Sequence, residues 1–383
     1  MMEEEFDKEK TPEDIVNYNI RYWSYNRSYD ELIKMYNHQE IIIPDMQRGF
    51  VWKKDQASRL IESILLGLPI PSVFLTLDQP KVDDKYIIVD GLQRLITLDC
   101  YVNEKPLPNQ KAKDFKLSTV VHSRWAKKRF HELSMEDQLK IKRSTINIIE
   151  FLQFDTKNEE GRYLIFERIN TGSEKLYPQQ IRNSIYHGKF NDLLLELGKD
   201  PDYLAYYEKR TVDVARLQPV ENILRFFAIY DYVRFKEKTS IQGLKNFLNE
   251  YMNLFQKLEQ NEEIESRYQF FEHYKGSNLE EVLEEKRQLF QKTFQFVRKT
   301  FGVNAFQQYD EFQKRYKAVL HRTIFEGLMV AVAISLEERE PLYCDSMKKR
   351  DEIISRDFWN RFQASTTSYE HIHERVNAFL KNE

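Results

Sequence analysis

Two rhythms of apolar positions organise the first 155 residues. Ile41, Ile42 and Ile43 form a β-branched run stopped by Pro44, Val73–Leu77 and Tyr86–Val89 are short apolar runs bounded by Pro, Asp and Gly, and Thr145–Phe154 is rich in Ile and Phe. Side chains branched at Cβ fit a pleated surface, so each run predicts a strand. Ala57, Leu60, Ile61, Ile64, Leu65 and Leu68 instead recur at helical spacing, and Gly67 and Pro69 stop that helix. Leu95, Ile96 and Leu98 begin another helix immediately after the Tyr86 strand. Ahead of all this, Pro12–Tyr36 mixes polar and aromatic residues with weak helical spacing, which predicts a helical arm.

The pattern changes along the chain. Regularity is lost between Lys105 and Asp137, and beyond Asp155 no strong strand signal remains. Val220, Ile223, Leu224, Phe227 and Tyr230, then Ile241, Leu244, Leu248, Tyr251 and Phe255, repeat the helical template. The most apolar stretch, Ile324–Leu336, is interrupted by Glu326 and is far short of the roughly 20 residues of a membrane span, so it predicts a buried helix. Strands in one half and helices in the other argue for an α+β fold: an arm over 1–37, a small mixed-sheet domain over 38–157 and a large all-α domain over 158–383. The junction is expected near Asp155–Gly161.

Composition narrows the function classes. With 58 basic and 61 acidic residues the net charge is −3, so no global field draws the chain to DNA or to an anionic membrane, and any nucleic-acid contact must be local. Two cysteines, Cys100 and Cys344, cannot form a disulfide framework and point to a reducing compartment, the cytoplasm by default. The acidic start, Met1–Asp14, lacks the basic-then-apolar order of an export signal.

The sharpest chemistry lies at Asp90-Gly91-Leu92-Gln93-Arg94, where a buried strand meets a glycine and passes straight into a helix. Unpaired backbone N–H groups and the positive end of the helix dipole suit an anion there, Gly91 permits close approach, and Arg94 can hold a phosphate bidentately. Asp90 could hold a divalent metal or position a water. The plainer alternative makes Asp90 a cap, Gly91 a turn residue and Arg94 a solvated charge.

Other segments carry weaker signals. In Ile43–Trp52, Gln47 and Arg48 could meet phosphate or a base edge, or could be surface residues of a turn, while Trp52 suits packing under the next helix. Asn170 and Thr171, before Gly172, suit a helix C-cap or the wall of a site, and Arg182 follows in the next helix. Lys111, Lys113, Lys116, Arg124, Lys127, Lys128 and Arg129 form the most basic stretch, a phosphate-neutralising patch or a solvated face covered by acidic neighbours. There is no Gly-rich loop ending in Lys-Ser or Lys-Thr, no dinucleotide fingerprint, no zinc spacing and no nuclease constellation. Cleavage of DNA by this chain alone is therefore not expected.

Taken in order, Ile43-Pro44 with Gln47-Arg48 and Trp52, then Asp90-Gly91-x-Gln93-Arg94, then Phe166–Gly172 with Leu176, Gln180 and Arg182, resemble the N-terminal-domain family of GmrSD-type modification-dependent restriction enzymes. Glu221, Leu224-Arg225-Phe226, Ser365–Ser368 and Arg375 are similar to its helical region. The resemblance implies a ParB/sulfiredoxin-like core that binds a nucleoside triphosphate, with Mg2+, through Gly91 and Arg94. Asp90, Gln93 and Arg94 are then the catalytic group, Asp90 the metal ligand, and Gln47, Arg48, Asn170, Thr171 and Arg182 the surrounding wall. It implies nucleotide hydrolysis associated with sensing of modified DNA in defence against phage, with a separate or fused HNH-type domain doing the cutting. The expected partners are modified DNA and a separate HNH-type nuclease or other defence subunit, and a homodimer is one expected form of the chain. Lys113, Lys116, Arg124, Lys127, Lys128 and Arg129 are the expected DNA contacts, with a non-catalytic DNA-binding or scaffold protein as the alternative. One departure stands out: Leu92 occupies the first glutamine of the family's Asp-Gly-Gln-Gln-Arg. Leucine cannot bond a phosphate or a water, so binding should survive better than turnover unless the side chain points into the core.

Overall fold

The computed structural model describes residues 20–42, 50–77, 85–153, 163–164, 167–168, 177–207, 214, 217–241, 243–264, 266–310, 313–339, 341–355 and 369–380. They group into two compact units, one holding a mixed sheet and one almost wholly helical. This is the α+β class expected from the apolar rhythms. The expected junction, Asp155–Gly161, lies outside the described residues.

In the first unit the chain runs β1 (Ile20–Ser28), α1 (Tyr29–Asn37), β2 (Ile41–Ile42), α2 (Lys54–Leu66), β3 (Val73–Leu77), β4 (Tyr86–Asp90), α3 (Leu92–Val102), α4 (Met135–Arg143) and β5 (Thr145–Gln153). The sheet order is β1-β5-β3-β4-β2. β1 runs antiparallel to β5 and β3 antiparallel to β4, whereas β3 with β5 and β2 with β4 are parallel. One core cluster joins Leu32 and Ile33 of α1, Ile61 and Ile64 of α2 and Leu95 and Leu98 of α3 to Val73, Leu75, Ile88 and Ile148 of the sheet.

β1 corrects the helical-arm expectation. Ser28 ends the strand and caps α1: its hydroxyl accepts from the Glu31 N–H at 3.2 Å, and its own N–H donates to the Glu31 carboxylate at 3.0 Å. This Ser-x-x-Glu box places the helix start at Tyr29. Weak spacing read across the whole segment therefore mixed two elements, and the aromatic-rich part before the cap pairs residue for residue with β5, from Ile20 opposite Gln153 to Ser28 opposite Thr145.

The second unit holds α5 (Pro178–Ile185, with Tyr177–Arg182 grouped here), α6 (Lys189–Gly198), α7 (Gln218–Arg234), α8 (Leu244–Gln260), α9 (Leu279–Phe301), a hairpin of β6 (Gln307–Asp310) and β7 (Arg315–Leu320), α10 (Arg322–Glu338), α11 (Met347–Ser355) and α12 (Tyr369–Leu380). The hairpin departs from the expectation of helices alone. Its strands are short and polar, with Tyr309 stacked edge-on against Tyr316, so no apolar alternation announced them. α10 is buried from Thr323 to Ile334, the helix foreseen in the most apolar stretch, and packs against α7, α9 and α12. Among the described residues no helix is long and apolar enough to cross a membrane. Cys100 and Cys344 are both free and buried.

Candidate phosphate-binding turn

β4 is buried on both faces through Ile87, Ile88 and Val89, which drives its C-terminal end, Asp90, to the start of α3. Gly91 makes the turn at φ 107°, a conformation that L side chains rarely adopt. A Cβ there would also lie 2.7 Å from Val73 Cγ2, so backbone geometry and the packing of β3 both require glycine. Gly91 contributes no capping side chain, and the 11-residue α3 begins with its first-turn N–H groups facing the turn.

Arg94 is 7% exposed. Its Nη2 donates to Asp90 Oδ2 at 2.9 Å and to the Ser72 carbonyl at 2.9 Å, while Nε is buried without a hydrogen-bond partner. The reading of Arg94 as a solvated charge therefore does not hold. Nearby, burial pushes the Tyr29 hydroxyl up to about 12, with the Arg94 charge opposing.

Gln93 has a role that spacing did not reveal. Its Oε1 accepts from the backbone N–H groups of Val51 at 3.0 Å and Trp52 at 3.3 Å. The end of the Ile43–Trp52 segment is thereby pinned to the turn, and two segments flagged separately in the sequence meet through one amide. Asn109 Nδ2 adds a bond to the Trp52 carbonyl at 3.0 Å. Gln47 and Arg48 themselves lie outside the described residues, as do Asn170 and Thr171.

Leu92 settles the direction left open by the family departure. It is 9% exposed and belongs to the core cluster with Leu95 and Val73, so its side chain points inward. A leucine here removes no hydrogen-bonding group from the outer side of the turn.

A short polar row extends sideways from Arg94. Ser72, whose carbonyl holds Arg94, donates its hydroxyl to Asn147 Oδ1 at 3.0 Å, and Asn147 Nδ2 lies 3.4 Å from Asn26 Oδ1. These residues occupy the ends of β3, β5 and β1 beside Asp90. Asn147 was visible in the sequence only as a polar break in an apolar strand.

Arg182 stands in the helical unit, where Nε donates to Asn249 Oδ1 at 2.9 Å and Nη1 to Gln179 Oε1 at 3.1 Å, with Glu221 Oε2 at 3.5 Å. Its guanidinium is committed to that buried network.

In the basic stretch, acidic neighbours do cover part of the charge. Arg124 pairs with Asp137 at 3.2 Å and Arg129 with Asp114 at 2.7 Å, and Lys116 and Lys128 are half-buried. Burial raises the Asp137 carboxyl, but bonds from Trp125 and Ser134 and the Arg124 charge outweigh it and hold the group below the usual carboxylate range. Lys111, Lys113 and Lys127 are exposed and form no ion pair among the described residues.

Against this geometry, residues 29–187 match the family model described as the GmrSD restriction endonuclease, N-terminal domain. The match spans α1 to the end of α5 and contains the whole Asp90–Arg94 turn. No curated protein and no solved structure matches the chain.

Proposed function

We propose that this chain, whose residues 29–187 match the model of the GmrSD restriction endonuclease N-terminal domain, acts in a DNA-restriction system and binds the phosphates of a nucleoside triphosphate at the Asp90–Arg94 turn. In this reading it is the nucleotide-responsive sensor of a modification-dependent, anti-phage system, and a separate HNH-type nuclease cuts the DNA. The observation that supports it most is the junction itself: a glycine N-cap with positive φ, which gives the helix no side-chain cap, backed by a buried guanidinium. Such a junction presents N–H groups and the positive end of the helix dipole to an anion.

Each residue then has a task. Gly91 makes the turn that starts α3 against β3. Arg94, oriented by Asp90 and by the Ser72 carbonyl, supplies fixed positive charge behind it. Gln93 is a positioning residue that holds Val51 and Trp52 at the rim.

Asp90 is the carboxylate that would hold Mg2+. Among the described residues no group of three or more His, Cys, Asp or Glu side chains is arranged for a metal, so an ion on Asp90 would need waters and phosphate oxygens as its other ligands. Bound there, Mg2+ would supply neutralisation of phosphate charge. Hydrolysis is the finer part of the proposal, and Leu92 does not oppose it because the side chain is buried.

The test is equilibrium titration of Mg2+ with each nucleoside triphosphate into the parent chain and Arg94→Lys, together with release of inorganic phosphate. Saturable binding by the parent, weakened about tenfold or more when the guanidinium fork is lost, is expected. Equal affinities, or no binding by a cooperatively folded parent, overturn the reading.

Lys111, Lys113 and Lys127, exposed and without an ion pair among the described residues, favour a second role in contacting duplex phosphates. Their joint replacement by Gln should flatten the salt dependence of DNA binding, and an unchanged slope removes the role.

A further inference from the structure

The sheet order β1-β5-β3-β4-β2 leaves one long side of β1 without a neighbouring strand among the described residues. β1 is nine residues long, pairs with β5 without a register shift, and contains neither lysine nor proline. Short length, bulges, proline and lysine are the devices that commonly keep a sheet edge from pairing with another chain. β1 has none of them. Tyr22 is 75% exposed and Trp23 40%.

The ladder with β5 fixes which main-chain groups face outward. Tyr29 N donates to the Ser144 carbonyl at 3.0 Å, in the register that sets Ser28 opposite Thr145. Bonded and non-bonded pairs alternate in an antiparallel ladder, so Arg27, Tyr25 and Trp23 bond to β5, while the N–H and C=O of Asn26, Ser24 and Tyr22 point away from it. The Ser28 N–H belongs to the outward set, and it is taken by the Glu31 carboxylate at 3.0 Å, as this parity requires. Tyr22, Ser24 and Asn26 are exposed, and outside the β5 ladder none of them forms a main-chain bond to a described residue. Free donors and acceptors at alternate residues have the repeat of one further strand.

Side chains select the occupant. Trp23, Tyr25 and Arg27 share a face with Glu150, Ile148 and Ile146 opposite them. The Arg27 guanidinium lies 5.2 Å from the centre of the Tyr25 ring, its Nε is buried without a hydrogen-bond partner, and it forms no ion pair among the described residues. An antiparallel copy of β1 centred on Ser24 would set Arg21 against Arg27, and like charges directly opposite destabilise a pair. A carboxylate is favoured there instead. A DNA backbone offers phosphates to Arg27 but has no donor for the outward carbonyls.

We propose that the free edge of β1 takes up an extended acidic segment of a partner protein as a further strand of the sheet, with a carboxylate against Arg27. Main-chain bonds hold the segment, and the alternating side chains of β1 select it.

The experiment is fluorescence anisotropy of labelled nine-residue peptides titrated with the full chain. The probe has the β1 sequence with Arg21→Glu and Arg27→Glu, which in the register centred on Ser24 sets a carboxylate opposite each arginine of the chain. Saturable binding is expected, and the unaltered β1 peptide should bind about fivefold or more weakly. Two methylated probes read the main chain: an N-methyl group at the Ser24 position should remove binding, and one at the Tyr25 position, whose N–H faces away, should spare it. In the chain, Ser24→Pro removes an outward N–H and no bond to β5, so it should abolish binding and keep a cooperative melt. The methylated probes carry the test if that variant fails to fold. Equal loss from both methyl groups, or no binding by the folded chain, overturns strand addition. Equal affinity for the unaltered and acidic peptides, with the chain dimerising in sedimentation, gives the edge to a second copy, and displacement of the probe by an oligodeoxythymidine gives it to nucleic acid; either overturns the proposal. These failures leave the Asp90–Arg94 reading untouched, because none of its residues is altered.

Discussion

Replacing Gly91 by alanine puts two independent physical demands in conflict with the fold. The backbone at φ 107° disfavours any L side chain, at a cost of roughly 1–3 kcal/mol. The new methyl group would stand 2.7 Å from Val73 Cγ2 and 3.2 Å from Val73 Cβ and Cγ1, in a strand whose side chain is fully buried. Overpacking of that kind adds roughly 1–3 kcal/mol, so the sheet unit should lose about 2–6 kcal/mol in all. Urea unfolding followed through the fluorescence of Trp52 and Trp125 reports on this unit. Val73→Ala removes both γ carbons and separates the two causes. The double variant should cost about 1–2 kcal/mol less than the sum of the single ones, the remainder being backbone strain. Strict additivity, or a loss below about 1 kcal/mol for Gly91→Ala alone, would refute the account of why glycine occupies this position.

Four further outcomes follow from the same geometry. Gln93→Ala frees the Val51 and Trp52 amides, so their hydrogen exchange should accelerate at a cost of about 1–2 kcal/mol, and unchanged exchange would show that the latch is not formed. Leu92→Gln, which restores the family's residue, should destabilise by roughly 1–3 kcal/mol through burial of an amide and leave phosphate release unaltered; a gain in turnover would mean that this side chain faces the nucleotide. Burial raises the Glu221 carboxyl, but the Arg322, Arg225 and Arg182 charges outweigh it and bring the group down to about 2. Its folded value is depressed, so its contribution is present above the ordinary value of 4.5 and is lost as pH falls towards 2; Glu221→Gln should flatten this part of the stability profile, and a parallel profile would contradict it. Lys286→Met strips the buried Asp231 of its cation while Tyr251 and Tyr274 remain as donors, and a loss of about 3–5 kcal/mol in thermal or urea unfolding is expected, against near neutrality if the pair is idle.

What could be read from the sequence was whatever rests on local pattern. The isoleucine run at Ile41, the strands at Val73 and Tyr86, the helix stopped by Gly67 and the strand-glycine-helix junction at Gly91 all follow from neighbours within a few residues, and the structure has them. β1 escaped because its burial partner is β5, more than a hundred residues away, and because the cap at Ser28 was not separated from the weak spacing on either side. The latch of Gln93 on Val51 and Trp52, the inward turn of Leu92 and the tie of Arg94 to Asp90 and Ser72 are tertiary facts. No window of residues contains them. The basic stretch shows the same limit: Asp114 and Asp137 lie close to it in sequence, but only folding shows which cations they neutralise. Arg182 fitted a phosphate ligand by type and position, and its bond to Asn249 depends on a residue 67 positions away in another helix.

The central claim is that nucleotide phosphates bind at the start of α3, and amide hydrogen exchange with and without Mg2+ and a nucleoside triphosphate measures this most directly. Exchange in a peptide spanning residues 90–95 should slow on nucleotide addition, with Val51 and Trp52 following through Gln93. Saturating nucleotide that leaves this peptide unprotected, or that protects only peptides elsewhere in the chain, would contradict the account.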